Sequence, residues 1–226
     1  LASSAASDVY KRQIFNNNLE EEIRGSALIN GIRIEYFEKR LESMYSKTLN
    51  EFKNQGNAVV SMIVYGDIIL DKNGKIKTLQ DYIKAIHSLP MPCLSEEEAK
   101  EQLAIINNFF DDLKNLIEQN DIYANHAYHL ALERIKDFYF SYYGLPGVSR
   151  TKALKTMLND DYRHAIKKEN PPAEFIELYL SCLDENQTLP NKLISLERLY
   201  NYSTREIDFD KYNHRICLLY TSPSPR

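Results

Sequence analysis

The sequence predicts an α+β protein, mostly helical, in which a small partial sheet precedes an α-helical bundle. Three observations carry this. Strict alternation over Gly31-Ile-Arg-Ile-Glu-Tyr-Phe37 marks a strand. Apolar residues recur at steps of four and three from Ala99 to Ile117 and again from Ala124 to Tyr142, the period of a helix face. Glycine is scarce, 7 in 226 residues, roughly half the usual share, which disfavours many short strands and turns.

In the 31–37 strand, Ile32, Ile34 and Tyr36 share one face and Arg33, Glu35 and Phe37 the other. The first face is expected to pack on helices and the second to open to a cleft. Residues 38–54 carry Leu41, Met44, Tyr45, Thr48 and Phe52 at helical spacing, with Gly56 suited to the C-cap. Ala58 to Tyr65 is short, apolar and β-branched, and fits a strand or a buried helix equally. Asp67 and Asp71 lead to an Asn73-Gly74 turn and read as turn-formers; Leu79 to Ile86 is a further short helix.

Pro90 and Pro92 then stop any helix from running through. Ser95, followed by three glutamates with Glu98 in the capping-box position, opens a helix. Its apolar stripe (Ala99, Leu103, Ile106, Phe110, Leu113, Ile117) and that of the next helix (Ala124, Tyr128, Ala131, Ile135, Phe138, Tyr142) imply an antiparallel pair. Gly144-Leu-Pro-Gly147 ends the second, Ser149 caps a third, and two more follow over about 172–183 and 189–202.

Residues 1–13 and 213–226 have no such pattern, nor the architecture of a signal peptide. They resemble translated adapter sequence and are expected to lie outside the fold. The organisation expected is thus an α/β part over 14–91 and a helical bundle over 92–212.

Composition excludes several function classes. Lys and Arg number 28 against 32 Asp and Glu, a net charge of −4, which does not favour nucleic acid. No apolar run approaches the ~20 residues of a bilayer crossing. Three cysteines, none in a C-x-x-C, argue against a disulfide framework or zinc knuckle and fit a reducing cytoplasm. No Walker-type loop, G-x-S-x-G elbow or H-E-x-x-H is present.

The string Asn30-Gly-Ile-Arg-Ile-Glu-Tyr-Phe37, an amphipathic helix, Val59 to Tyr65, Gly66-Asp-Ile-Ile-Leu-Asp-Lys-Asn-Gly74 and a helix leading to Pro90 resembles the second half of the nucleotidyltransferase domain of aminoglycoside-type nucleotidyltransferases. The resemblance implies a partial mixed sheet of an α/β catalytic domain, followed by a helical substrate-binding bundle. It also implies a reaction: a nucleoside monophosphate passes from a nucleoside triphosphate to a small hydroxyl-bearing acceptor, with Mg2+. That chemistry needs a Gly-Ser turn followed by D-x-D to hold the metal, and a third carboxylate on a neighbouring strand. Gly25-Ser26 is followed by Ala-Leu-Ile-Asn and does not match the first motif. Glu35 falls at the third position, where the resemblance makes it a catalytic and metal-associated carboxylate. On residue type alone it reads as a strand acid paired with Arg33. The chain is therefore expected to be an N-terminally truncated fragment, inactive as it stands, whose sheet leaves a bare apolar edge beside the 31–37 strand.

In the bundle, His126, His129 and Glu133 share one side of a helix, either as a solvated polar face or as groups that orient an acceptor's hydroxyl or amines. Phe138 and Tyr142 belong to the core stripe, whereas Tyr139 and Tyr143 are left to line a substrate cleft. Arg150 and Lys152 are cations for a triphosphate, or helix-start residues. The rival to an enzyme is a non-enzymatic α-helical protein-interaction module, its strands acting as a cap. An RNA-cleaving helical domain with an R-x(4–6)-H pattern fits poorly, because Arg163 and His164 are adjacent and Arg205 is too far from His214.

Overall fold

The computed structural model describes residues 9–56, 58–148, 152–160 and 170–207. The chain divides into two units, Leu1–Pro92 with Gly144–Asn170, and Cys93–Tyr143 with Pro171–Arg226. The fold is α+β and mostly helical: eight helices and one three-stranded mixed sheet among the described residues. None of these helices is long and apolar enough to cross a membrane. Ser149, Arg150, Arg163, His164, His214 and Cys217 lie outside the described residues.

In the first unit, strands β1 (Val9–Phe15), β2 (Ile23–Ile29) and β3 (Ile32–Lys39) are ordered β1-β3-β2, with β3 parallel to β1 and antiparallel to β2. Two expectations are corrected here. Residues 9–13 are not foreign to the fold: they belong to β1 and pair with Arg33 through Phe37. Nor does β3 present a bare edge, because β1 and β2 flank it.

The β2–β3 connection is the two-residue turn Asn30-Gly31, with φ of +51° and +78°. Positive φ at both positions twists the turn in the sense that two antiparallel strands require, and Asn-Gly tolerates it best. The turn places Gly25 opposite Tyr36. A Cβ at residue 25 would lie 2.4 Å from the Tyr36 ring, so a larger residue there would force the Tyr36 side chain to move.

Strand alternation extends the two faces of β3 across the sheet. One carries Ile14, Ile23, Ile29, Ile32, Ile34 and Tyr36; the other carries Phe15, Arg24, Ser26, Arg33, Glu35, Phe37 and Lys39. Phe15 packs on the helical core of Leu41, Met44, Val60, Ile63, Val64, Leu79 and Ile83. The isoleucine face stays open, with Ile14 45%, Ile23 44%, Ile29 52% and Ile32 45% exposed. This reverses the sequence-based assignment of faces. Alternation separates two faces but does not say which one the following helices cover. The chain's exit decides that, and here Asn17 Oδ1 accepts the Leu41 N–H at 3.2 Å where β3 passes into the first helix.

Helix α1 (Leu41–Lys53) buries Leu41, Met44, Thr48 and Phe52. It ends in a Schellman arrangement in which Gln55, not Gly56, takes the left-handed conformation, at φ +58°. The Gln55 N–H bonds Phe52 O at 2.9 Å and the Gly56 N–H bonds Glu51 O at 2.7 Å. The Glu51 carboxylate accepts the Val59 and Val60 N–H groups, each at 2.9 Å, and so caps the next helix, α2 (Ala58–Val64). Of the two readings open for this stretch, the helix is the one that forms. Its far end is closed by Gln80 Nε2, which donates to Ile63 O at 3.0 Å and Gly66 O at 2.9 Å. Gln80 belongs to α3 (Lys75–His87), whose first turn is held by Asp71 Oδ2 accepting the Lys77 N–H at 2.9 Å. That bond holds the Asp71 carboxyl below its ordinary range.

The second unit opens with α4 (Glu96–Glu118), capped as its sequence predicts: Ser95 Oγ accepts the Glu98 N–H while the Glu98 carboxylate accepts the Ser95 N–H at 2.8 Å. Asn120, at φ +51°, turns the chain into α5 (Ala124–Tyr142). The pair is antiparallel, its ends tied by the Leu94 N–H to Ser141 O at 3.1 Å. Between α5 and the last two helices the chain passes through the first unit, where Gly147 N–H donates to Gln55 O at 2.9 Å and α6 (Ala153–Leu158) forms. A bundle unbroken over 92–212 is therefore not what forms. A Cβ on Gly147 would stand 2.7 Å from Gln55 O, so the residue's size permits the docking. The second unit is completed by α7 (Ala173–Cys182) and α8 (Leu189–Thr204). Tyr128 Oη donates to Cys182 O, and Tyr200 Oη to Asn107 Oδ1, each at 2.8 Å.

Two outcomes test these end-caps. Ser95→Ala removes one arm of the box directly and strands the other, so urea unfolding of the variant should show a loss of about 1 kcal/mol. Asp71 is bound more tightly as a carboxylate when folded, so its contribution is complete above the ordinary carboxylate pKa and is lost as pH falls through the lower folded value. Between about pH 4 and pH 2 the parent's melting temperature should fall more steeply than that of Asp71→Asn.

Candidate functional site

Glu35 lies mid-strand in β3, opposite Ser26 of β2 and Lys11 of β1. Its side chain is 31% exposed, and Oε1 sits 3.9 Å from the Arg33 guanidinium. Around it, on the same face, stand Arg24, Ser26, Arg33, Phe37 and Lys39. Arg24 reaches over the Phe37 ring, 5.0 Å from its centroid, a geometry in which the ring quadrupole attracts the cation. Lys39 is partly desolvated, which lowers its pKa, and the positive charge of Arg24 lowers it further. This face sets three cations, Arg24, Arg33 and Lys39, around one carboxylate. It does not by itself hold a metal: among the described residues no three His, Cys, Asp or Glu side chains come together as ligands.

The histidine–glutamate side of α5 separates. His126 and His129 are exposed, while Glu133 turns inward. Its Oε1 accepts from Tyr179 Oη at 3.0 Å, and Oε2 accepts from Lys136 Nζ. Lys136 is only 1% exposed and has Asp137 3.4 Å away on its other side. Burial, and next the negative charge of Glu133, push the Tyr179 phenol upward. The network satisfies a buried ammonium rather than presenting groups to an acceptor.

Tyr139 is likewise core. It is 1% exposed and stacks on Phe175 with ring centroids 3.9 Å apart, because the α5 stripe is wide enough to bury Leu132, Lys136 and Tyr139 as well as the predicted positions. Tyr143 is half-buried, 4.5 Å from Tyr139 between ring centroids. Arg205 stands over it at 5.9 Å. Lys152 is exposed at the start of α6, in the first unit rather than in the bundle. Arg150 lies outside the described residues. The Cys182 thiol is pushed up to about 11 by burial, which keeps it protonated and unreactive.

The sequence reading missed β2, and with it Arg24, Ser26 and the role of Lys39. The signal was present: Asn30-Gly31 between Ile29 and Ile32 is a hairpin mark, and folding the chain back across it sets Arg24 opposite Phe37.

No protein-family model matches this chain, and no curated protein matches it. Among solved structures, it is similar to a nucleotidyltransferase-like protein from Exiguobacterium sibiricum 255-15, with 19% identity and a TM-score of 0.44, over 87% of this chain and 62% of that one. The chain thus spans less than two thirds of that protein's length.

The two halves of the α5 constellation should respond differently to truncation. His126→Ala and His129→Ala, both at exposed positions, should each change unfolding stability by less than about 0.5 kcal/mol. Glu133→Ala leaves Lys136 buried beside Asp137 alone and should cost about 3 kcal/mol. Chemical denaturation of the three variants distinguishes them.

Proposed function

We propose that this chain is part of a nucleotidyltransferase that moves a nucleoside monophosphate from a nucleoside triphosphate to a small acceptor's hydroxyl, with Glu35 as the strand carboxylate of the site. The observation that supports it best is the setting of Glu35. It is a partly exposed acid on the middle strand of a mixed sheet, among cations, in a chain whose order of strand, helices and helical unit is the one the sequence resemblance implies.

In that reaction the acceptor oxygen attacks the α-phosphorus, the bond to the departing pyrophosphate breaks, and the hydroxyl proton passes to a carboxylate. Glu35 is the group in this chain able to take that proton on the sheet face. The Mg2+ that such chemistry uses is a different matter. Glu35 has a cation, not a second acid, as its neighbour, and the described residues do not fit a divalent ion. Metal binding is therefore not assigned to the described residues.

A transfer assay with labelled nucleoside triphosphate, Mg2+ and a panel of hydroxyl acceptors tests this. The 226-residue chain should transfer nothing. In any longer chain that contains these residues and is active, Glu35→Gln should lower transfer by at least about a hundredfold. Activity in the 226-residue chain, or a longer active chain indifferent to Glu35→Gln, overturns the proposal.

A further inference from the structure

We infer that the outer edge of β2 pairs antiparallel with the same strand of a second copy of this chain, about a twofold axis at Ser26. β2 is an edge strand, exposed along nearly its whole length, with Leu28 75% exposed. A two-residue hairpin loop makes its flanking residues, here Ile29 and Ile32, a hydrogen-bonded pair, and such pairs alternate with open ones along the hairpin. The N–H and C=O groups of Ile23, Gly25, Ala27 and Ile29 are therefore spent on β3. Those of Arg24, Ser26 and Leu28 point away from the sheet and, among the described residues, meet no other strand.

The sequence of the edge says what fits it. Sheet edges are ordinarily guarded by lysine, proline or a bulge. β1, the other edge, carries Lys11 and Arg12, whereas β2 has neither lysine nor proline and a single charge, Arg24. The strand Ile23-Arg-Gly-Ser-Ala-Leu-Ile29 is also nearly symmetric about Ser26 in size and polarity. A twofold axis there sets Ile23 beside Ile29 of the second copy and Gly25 beside its Ala27, all on the isoleucine face. On the other face Ser26 meets Ser26, and Arg24 meets Leu28. The charges agree with this pairing. It holds the two Arg24 residues about 14 Å apart along the strands, beyond the ~8 Å screening length of physiological salt, whereas an in-register parallel pairing would stack them ~4.8 Å apart. It also joins the two open isoleucine faces into one, each covering part of the other. A symmetric contact of this kind closes at two copies, because it uses the one free edge that β2 has.

Sedimentation velocity of the full 226-residue chain, from about 5 μM to about 1 mM to cover a weak contact, should show a monomer–dimer equilibrium. In a mixed-label sample, filtered NOEs should connect Arg24 of one molecule to Leu28 of another. The amides of Arg24, Ser26 and Leu28 should exchange fast in the dilute monomer and slow down as dimer forms, while those of Gly25 and Ala27 are slow throughout. Ser26→Pro removes an N–H that β3 does not use, and Ser26→Lys brings two ammonium groups together at the axis; each should weaken the dimer at least about tenfold. Leu28→Glu should dimerise at least about fivefold more tightly than Leu28→Lys, because residue 28 faces Arg24 of the second copy twice in each dimer. Thermal melts confirm that each variant is folded. The pairing is overturned by a monomer across the whole range, by a dimer indifferent to both Ser26 variants, or by equal dimerisation of the two Leu28 variants. It is equally overturned by growth beyond two copies, or by slow exchange at Arg24, Ser26 and Leu28 in the dilute monomer, which places another part of the same chain on the edge.

Discussion

The turn at Asn30-Gly31 is the constraint from which the functional geometry of the first unit follows. Two successive positive φ angles fix the β2–β3 register. Because side chains alternate, a slip of one residue would move Arg24 to the isoleucine face and break its contact with the Phe37 ring. It would also lift Gly25 from beneath the Tyr36 ring, where a larger residue would displace the ring. The turn fixes the register by backbone conformation, and the close approach of Gly25 and Tyr36 agrees with it.

Around that sheet, the helices of the first unit are joined by polar side chains that satisfy one another's ends. Each is short, and α2 has only seven residues, too few to be stable in isolation. Glu51 from α1 closes one end of α2, and Gln80 from α3 closes the other. The apolar core shared by the three helices supplies the driving force. The caps make the arrangement specific, since a helix end buried without partners is costly. The second unit relies instead on length: α4 and α5 have 23 and 19 residues, and aromatic side chains such as Tyr128, Phe138 and Phe175 fill its interior.

What was legible in the sequence divides along the same physical line. Local signals were readable: the Ser95–Glu98 box, the α4 and α5 stripes, the β3 alternation and the turn-forming role of Asp71 all follow from interactions within a few residues. Long-range choices were not. That Val9–Phe15 would pair with β3 depends on partners far along the chain, Val9 meeting Arg33 and Phe15 meeting Lys39. That Gly144–Asn170 would join the first unit depends on a glycine's size against Gln55 O. The α5 site residues show the same limit: helical spacing correctly set His126, His129 and Glu133 on one side, but a glutamate can lean toward a buried lysine, and Lys136 is not recognisable as buried without its packing. Periodicity assigned Tyr139 to the edge of a stripe, and only the stacking of Phe175 makes it core.

The open isoleucine face gives this protein a distinctive solution physics. Ile14, Ile23, Ile29 and Ile32 offer water an apolar surface, flanked by two strand edges that are unpaired among the described residues. Apolar surface of this kind gains cohesion on warming and loses it on cooling, and sulfate salts strengthen it while urea weakens it. The drive to cover these isoleucines is therefore weakest in cold, low-sulfate conditions and strongest on warming or salting-out.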